Sequence, residues 1–227
     1  RNCSSRFRKC VVVEMKGKSM DELKDLMNLS SDDWSTMYDN GMTSLEKLSP
    51  FSEQIKIVPY RYSWVLDKVD NLEKGNSLDV GCNNGALAYL LGCKGFTAHG
   101  IEVGDKLLES CVKNVPGGKF VKAHADEEIP FSSNFFSVVT ALEVLEHVKN
   151  PEKMVAEMLR VLAPGGKLLI TVPVGKAFDC PQHLRYFSFY SLGDLFVPFI
   201  DKFKICRIYK SSDKEDKRAL YALEATK

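Results

Sequence analysis

SLDVGCNNGALAYLLGCKGFTAHGIEV, residues 77–103, reads as strand, glycine turn, short helix, second strand and a closing acid. Leu78 and Val80 lead into Gly81, where a residue without Cβ lets the chain turn sharply and come close to a ligand. Asp79 stands one residue before that turn. Gly85 opens a helix carrying Leu87, Tyr89, Leu90 and Leu91, and Gly92 stands where a C-cap glycine is expected. The second strand, 96–103, ends at Glu102, seventeen positions after Gly85, where nucleotide-binding βαβ units place the carboxylate that takes the ribose hydroxyls. Glycine spacing alone also arises where a helix merely packs close to a sheet, so the acid at the strand end gives the pattern its meaning. Asn83 stands where a dinucleotide fingerprint needs its middle glycine, and Ala86 follows Gly85. The expected ligand is therefore a nucleoside without a diphosphate.

The totals agree with one such unit in one domain. A chain of 227 residues suffices for an α/β domain with a full core and a short extension. Its formal charge of +1, from 31 basic and 30 acidic residues, supplies no field to hold a polyanion, so nucleic acid is not an expected partner. Seven cysteines, Cys3, Cys10, Cys82, Cys93, Cys111, Cys180 and Cys206, are scattered without a CxxC pair. They read as reduced thiols of a cytoplasmic protein, not as a disulfide frame or a zinc site. No apolar run is long enough for a spanning helix. The start at Arg1, without methionine or an apolar signal core, reads as an excised or truncated piece.

Along the chain, residues 1–50 are expected to form a partly helical extension and residues 51–227 the domain. In the extension, VVVEM at 11–15 is a candidate strand, and Ser19 with Asp21 and Glu22 caps a candidate helix. Trp34, Met37 and Tyr38 at helical spacing read as core. An amphipathic helix over 52–70, bent at Pro59, precedes the first strand and brings Tyr60 and Arg61 toward the ligand. A solvated surface arginine is the plainer alternative. Gly104 and Asp105 start a helix stopped by VPGG at 115–118, and 119–124 is a third strand. ADEEIPF follows at 125–131, then a fourth strand at 137–142. Asn150 and Pro151 begin a helix ended by Pro164, Gly165 and Gly166, which open the fifth strand KLLITVP. A helix at 191–199 and strands at 203–209 and 220–225, joined by the charged turn SSDKEDKR, complete the chain.

Three strings carry a family resemblance. DVGCNNG resembles motif I of the class I S-adenosylmethionine-dependent methyltransferases, D/E-x-G-x-G-x-G, with Asp79, Gly81 and Gly85 in place and Asn83 at one glycine. ADEEIPF resembles their D-A-E-x-L-P-F with Ala125 at the usual aspartate and Asp126 one residue later, and Ser137 replaces the aspartate of FDVV. RVLAPGGKLLITVP, at 160–173, is the most specific of the three. The resemblance covers 75–227 and leaves 1–50 uncovered. It implies a Rossmann-like, doubly wound α/β sheet of seven strands, mostly parallel with an antiparallel last strand. It implies S-adenosylmethionine as cofactor: Glu102, with Val103 beside it, on the ribose; Asp126, helped by the Glu127 backbone, on the adenine; the amides of Gly81, Cys82 and Asn83 on the methionine part; and Asp79, Gly85, Arg61 and Glu143 in the same site.

Methyl transfer from a sulfonium needs an aligned nucleophile, a dry pocket and an acceptor for a proton. Of four histidines, His99 lies within the second strand and His124 at the end of the third, which leaves His147 and His183 on the acceptor side. In EVLEH, Glu143, Glu146 and His147 fall at i, i+3 and i+4, one side of a helical turn. With His183 from PQHLRYFS they form a candidate divalent-cation site for Mg or Zn. The set resembles that of ubiquinone-pathway O-methyltransferases and of small-RNA 3′-terminal 2′-O-methyltransferases, where a metal binds the acceptor oxygens. Two other readings stay open: a metal-free catalytic histidine, and a structural, hydrogen-bonded set. Arg185 among aromatics reads either as a grip on an acidic group of the substrate or as one half of an internal ion pair. The expected activity is O-methylation of a small or medium-sized acceptor. The rivals are a metal-dependent RNA ribose 2′-O-methyltransferase, disfavoured by the near-neutral charge, and a non-catalytic cofactor-binding module.

Overall fold

The computed structural model describes residues 51, 59–175, 180–209 and 219–227. The elements expected in the extension, the stretch 52–58 and the charged turn 211–218 lie outside them.

The described chain runs α1 (Tyr60–Val69), β1 (Asn76–Val80), α2 (Ala86–Cys93), β2 (Thr97–Glu102), α3 (Asp105–Asn114), β3 (Lys119–Lys122), β4 (Phe136–Leu142), α4 (Pro151–Val161), β5 (Leu162–Pro173), α5 (Phe189–Phe196), β6 (Phe203–Ile208) and β7 (Leu220–Thr226). The strands form one seven-stranded sheet in the order β3-β2-β1-β4-β5-β7-β6. All pairs from β3 to β5 are parallel, and β7 runs antiparallel between β5 and β6. The strand order therefore reverses between β1 and β4, and a crevice opens beyond their carboxyl ends. This is the doubly wound architecture expected from the sequence.

Central strands of such a sheet are buried on both faces, which is why Leu78, Val80, Val138, Val139, Leu168 and Leu169 are all inaccessible. On one face Val65 and Val69 of α1 and Leu87 and Leu91 of α2 pack against Val138 and Leu169. On the other, Met154, Val155 and Met158 of α4 and Leu192 and Phe196 of α5 pack against Val139, Leu168 and Ile170. Each such side chain contributes about 1.5–3 kcal/mol of burial.

Several boundaries move for local reasons. Among the described residues the leading helix starts at Tyr60, with Pro59 as its N-cap and the Pro59 carbonyl accepting from Tyr62 and Ser63. Gly92 is not the C-cap glycine, because α2 runs through it to Cys93 and Gly95, at φ +94°, makes the left-handed exit. Helix α4 stops at Val161, and β5 begins at Leu162 opposite Phe136, a register interruption before Lys167 absorbing Pro164 and Gly165. Strand β3 ends at Lys122, which leaves His124 beyond it. Helix α5 begins at Phe189, where Ser188 and Ser191 bond to each other's backbone in a capping box.

Candidate active site

A cavity of about 440 Å³ lies at the carboxyl ends of β1, β2 and β4. Its floor is the turn after β1. Gly81 has φ +69°, and a Cβ there would stand 2.8 Å from Val144 Cγ2, so no other residue fits without displacing Val144. The amides of Gly81 and Cys82 both donate to the Ile101 carbonyl, and that of Asn83, at φ +50°, to Glu102 Oε2 at 2.9 Å. These three amides therefore bind the turn to β2 and do not face a ligand, contrary to the sequence expectation. What the turn offers is a bare surface at Gly81, with Cys82, Asn83 and Asn84 on the wall.

Glu102 sits at the end of β2, buried, with Oε1 accepting from the amides of Val103 and Gly104 at 2.8 and 3.1 Å. It thus fastens the start of α3 as well as the turn, and both it and Val103 line the cavity. Asp79 lies beside it, 4% exposed, with Thr140 Oγ1 donating to its Oδ1 at 2.6 Å. Burial pushes its pKa up from 3.8 to about 7; the Thr140 bond opposes this, neighbouring Glu102 adds to it, and Arg61 opposes it. Thr140 was not anticipated. The partnership needs the β1–β4 pairing, which sets Asp79 opposite Thr140.

Gly85 is not on the cavity wall. At φ +84° it lies against α3, where a Cβ would be 3.0 Å from Val115 Cγ2 and 3.3 Å from the Cys111 Cα. Its role is the close packing of helix on helix. Cys82 meets Cys111 at 3.6 Å between sulfurs, and the Cys111 thiol donates to the Asn83 carbonyl at 2.8 Å.

The adenine assignment changes. Asp126 does not line the cavity: its carboxylate accepts the amides of Lys149 and Asn150 at 2.9 and 2.8 Å. Glu127 is exposed, also off the wall, and its amide donates to the His124 carbonyl. The wall there is Ala123, His124 and Ala125. The one-residue displacement of the aspartate is thus a change of job, because the turn closed by the Glu127 amide on the His124 carbonyl carries Asp126 away from the wall and toward the amides of Lys149 and Asn150.

Arg61 and Tyr62, from the first turn of α1, close the cavity from above, and Tyr60 does not reach it. Arg61 Nε lies 3.2 Å from Glu143 Oε1, with the guanidinium 4.9 Å from the Tyr62 ring centroid. Glu143 follows β4 at φ +60°, and burial raises its carboxyl while Arg61 opposes that rise.

At the acceptor end, EVLEH is not one turn of helix. The positive φ of Glu143 turns its side chain to Arg61, while Glu146 and His147 sit in a following turn. Glu143 is therefore outside the cluster in which the sequence placed it. Glu146 is joined by His147 and His183: Oε1 is 3.9 Å from His147 Nε2 and 4.0 Å from His183 Nε2. The imidazoles lie 4.7 Å apart between centroids at 72°, and Tyr186 flanks His183 at 5.9 Å. Glu146 is 1% exposed, and neither of its oxygens has a hydrogen-bond partner among the described residues. Burial raises its pKa well above the usual range, with Glu143 adding to the rise. One donor atom from each of the three lies within 4.8 Å of the others. His147 faces the cavity, and His183 stands behind it.

Comparison with known proteins agrees with this geometry. Residues 78–170 match the methyltransferase domain family. The ubiquinone biosynthesis O-methyltransferase of Pseudomonas fluorescens strain Pf0-1 is 34% identical over 134 residues, 56% of this chain and 56% of that protein. The chain spans about half the length of the curated relatives it matches. Among solved structures, phosphoethanolamine N-methyltransferase 2 of Haemonchus contortus superposes with a TM-score of 0.70 at 16% identity, over 88% of this chain and 61% of that one. An S-adenosylmethionine-dependent methyltransferase of Mesorhizobium loti superposes at 0.60 and 13% identity, over 76% of this chain and 100% of that one. The segment similar to the methyltransferase domain family runs from within β1 to within β5 and carries the turn and strand ends that form the cavity.

Proposed function

We propose that the chain transfers a methyl group from S-adenosylmethionine to an oxygen of a small acceptor, the O-methylation named for the ubiquinone biosynthesis relatives. The observation that carries this reading is the buried Glu146 between two imidazoles, one of them on the cavity wall.

The residues fit the cofactor. Asp79, Glu102 and Glu143 are three carboxylates lining the cavity with Arg61 among them, a surface that favours a ligand carrying positive charge. When bound, S-adenosylmethionine supplies a methyl group whose bond to the sulfonium sulfur breaks as the bond to the acceptor oxygen forms. The protein does the rest. Glu102 takes the ribose, Arg61 the methionine carboxylate, and the His124–Ala125 wall replaces Asp126 beside the base. His147 takes the acceptor proton, and Glu146, 3.9 Å from its Nε2, is the carboxyl beside the imidazolium that forms. Tyr62 and Leu142 keep water from the transfer path.

Glu146, His147 and His183 also fit a divalent cation. Two nitrogens and one oxygen suit zinc better than magnesium, which prefers oxygen ligands, and a bound metal would lower the acceptor's pKa. Chelation followed by readdition of zinc or magnesium separates this form from the metal-free base. The near-neutral charge disfavours an RNA acceptor. A small-molecule acceptor and a cytoplasmic location complete the proposal; no helix among the described residues is long and apolar enough to cross a membrane.

The test is transfer of labelled methyl to 3,4-dihydroxybenzoate, alongside calorimetric titration with S-adenosylhomocysteine. Cofactor binding retained in His147→Gln and Glu146→Gln, with transfer lowered about 100-fold or more, supports the reading. Transfer unaffected by both substitutions overturns it.

A further inference from the structure

The segment between β4 and α4 carries Glu146 and His147, yet it has no helix or ladder to hold them. Two charged side chains grip its backbone instead. Arg185 donates through Nη1 to the carbonyls of Leu145, at 3.2 Å, and Val148, and through Nη2 to that of Lys149 at 3.0 Å. From the other side, Asp126 accepts the amides of Lys149 and Asn150, and the Lys153 ammonium donates to the Asp126 carbonyl at 2.8 Å. The strand of chain bearing His183 is fastened to the same loop. The Leu184 amide donates to the Glu146 carbonyl at 2.8 Å, and His147 Nδ1 lies 3.2 Å from the Gln182 carbonyl.

We propose that Arg185 is a positioning residue that sets the spacing of Glu146, His147 and His183, with Asp126 as the opposing jaw of a clamp on residues 145–150. A guanidinium presents five donors in a rigid planar fork, so one side chain can hold three carbonyls that a lysine would meet as a single point. Arg185 is two residues from His183, and its three acceptors bracket Glu146 and His147. Moving it therefore moves all members of the cluster together. Neither residue touches the space where a substrate would sit: Arg185 and Asp126 are both absent from the cavity wall. The clamp explains why an arginine and an aspartate with ligand-binding appearance in the sequence are turned away from the ligand. This rests on the reading that the cluster acts on the acceptor, but its structural content can be measured without an acceptor.

The experiment uses the full chain with S-adenosylhomocysteine, labelled at the histidine ring nitrogens. Arg185→Met is compared with Arg160→Met, which removes a similar grip on the Phe131 and Ile129 carbonyls away from the cavity. The expected result is that the His147 and His183 ring signals move in Arg185→Met and stay in place in Arg160→Met, while affinity for S-adenosylhomocysteine changes by less than about threefold. Methyl transfer to 3,4-dihydroxybenzoate falls about 100-fold in kcat, the scale expected of an ångström misplacement, with Arg185→Lys recovering part of it. If Arg185→Met does not fold, Arg185→Lys and Asp126→Asn carry the same expectation. Ring signals that do not respond to the Arg185 substitutions overturn the clamp whether or not the chain methylates. Moved signals with transfer unaffected by His147→Gln sink the functional reading and leave the clamp standing.

Discussion

Asp79→Asn should make this protein more stable in alkali. Asp79 is buried at the end of β1, and its pKa rises from 3.8 to about 7. The folded state therefore holds a proton that the unfolded state has released, and stability declines as pH climbs through the window from about 4 to about 7. At about 1.4 kcal/mol for each tenfold in proton affinity, the rise corresponds to about 4 kcal/mol of destabilisation, complete above pH 7. The Thr140 hydroxyl can donate to an asparagine carbonyl as it does to Asp79 Oδ1, so the amide keeps its bond and loses only the charge. The assay is urea denaturation of both proteins from about pH 5 to about pH 9. The variant's advantage should grow with pH and level off at up to about 4 kcal/mol. A difference between the two proteins that is flat across pH would refute the argument. The same carboxylate should favour a cationic ligand, so wild-type affinity for S-adenosylmethionine should strengthen as pH rises through 7 and the variant's should not.

Gly81→Ala puts a Cβ 2.8 Å from Val144 Cγ2 at φ +69°, so it should cost about 1–3 kcal/mol in urea denaturation and abolish calorimetric binding of S-adenosylhomocysteine. His99, buried among Phe131, Phe135 and Phe136, has its pKa lowered by burial from 6.5. Its contribution is full above that value and lost as pH falls below it, so His99→Gln should flatten the acid arm of the stability profile. Met158→Ala, in the core between α4 and the sheet, should cost about 2–5 kcal/mol by denaturation with cofactor affinity intact.

The path from Leu78 to Glu102 was legible because each inference there is local. A glycine at a turn, apolar alternation before it and an acid at the next strand end lie within one βαβ unit and obey short-range sterics. The same holds for Pro151 in the first turn of α4 and for the buried face of that helix. Gly92 and Gly95 show where local signals run out: two glycines compete for one C-cap, and only the backbone φ of the second decides.

By itself, the sequence determined the strand, turn, helix and strand that end at Glu102, since hydrophobic periodicity and turn chemistry act between near neighbours, while the seven-stranded sheet followed from the family resemblance and its strand order from the structure. Only the tertiary structure decided which charged groups face the cavity. Asp79 meets Thr140 through strands 61 residues apart, Glu143 turns to Arg61, and Asp126 and Arg185 turn to backbone instead of ligand. A charged side chain goes where its desolvation is best compensated, and the compensating partner is set by strand order and loop path rather than by neighbours in the chain.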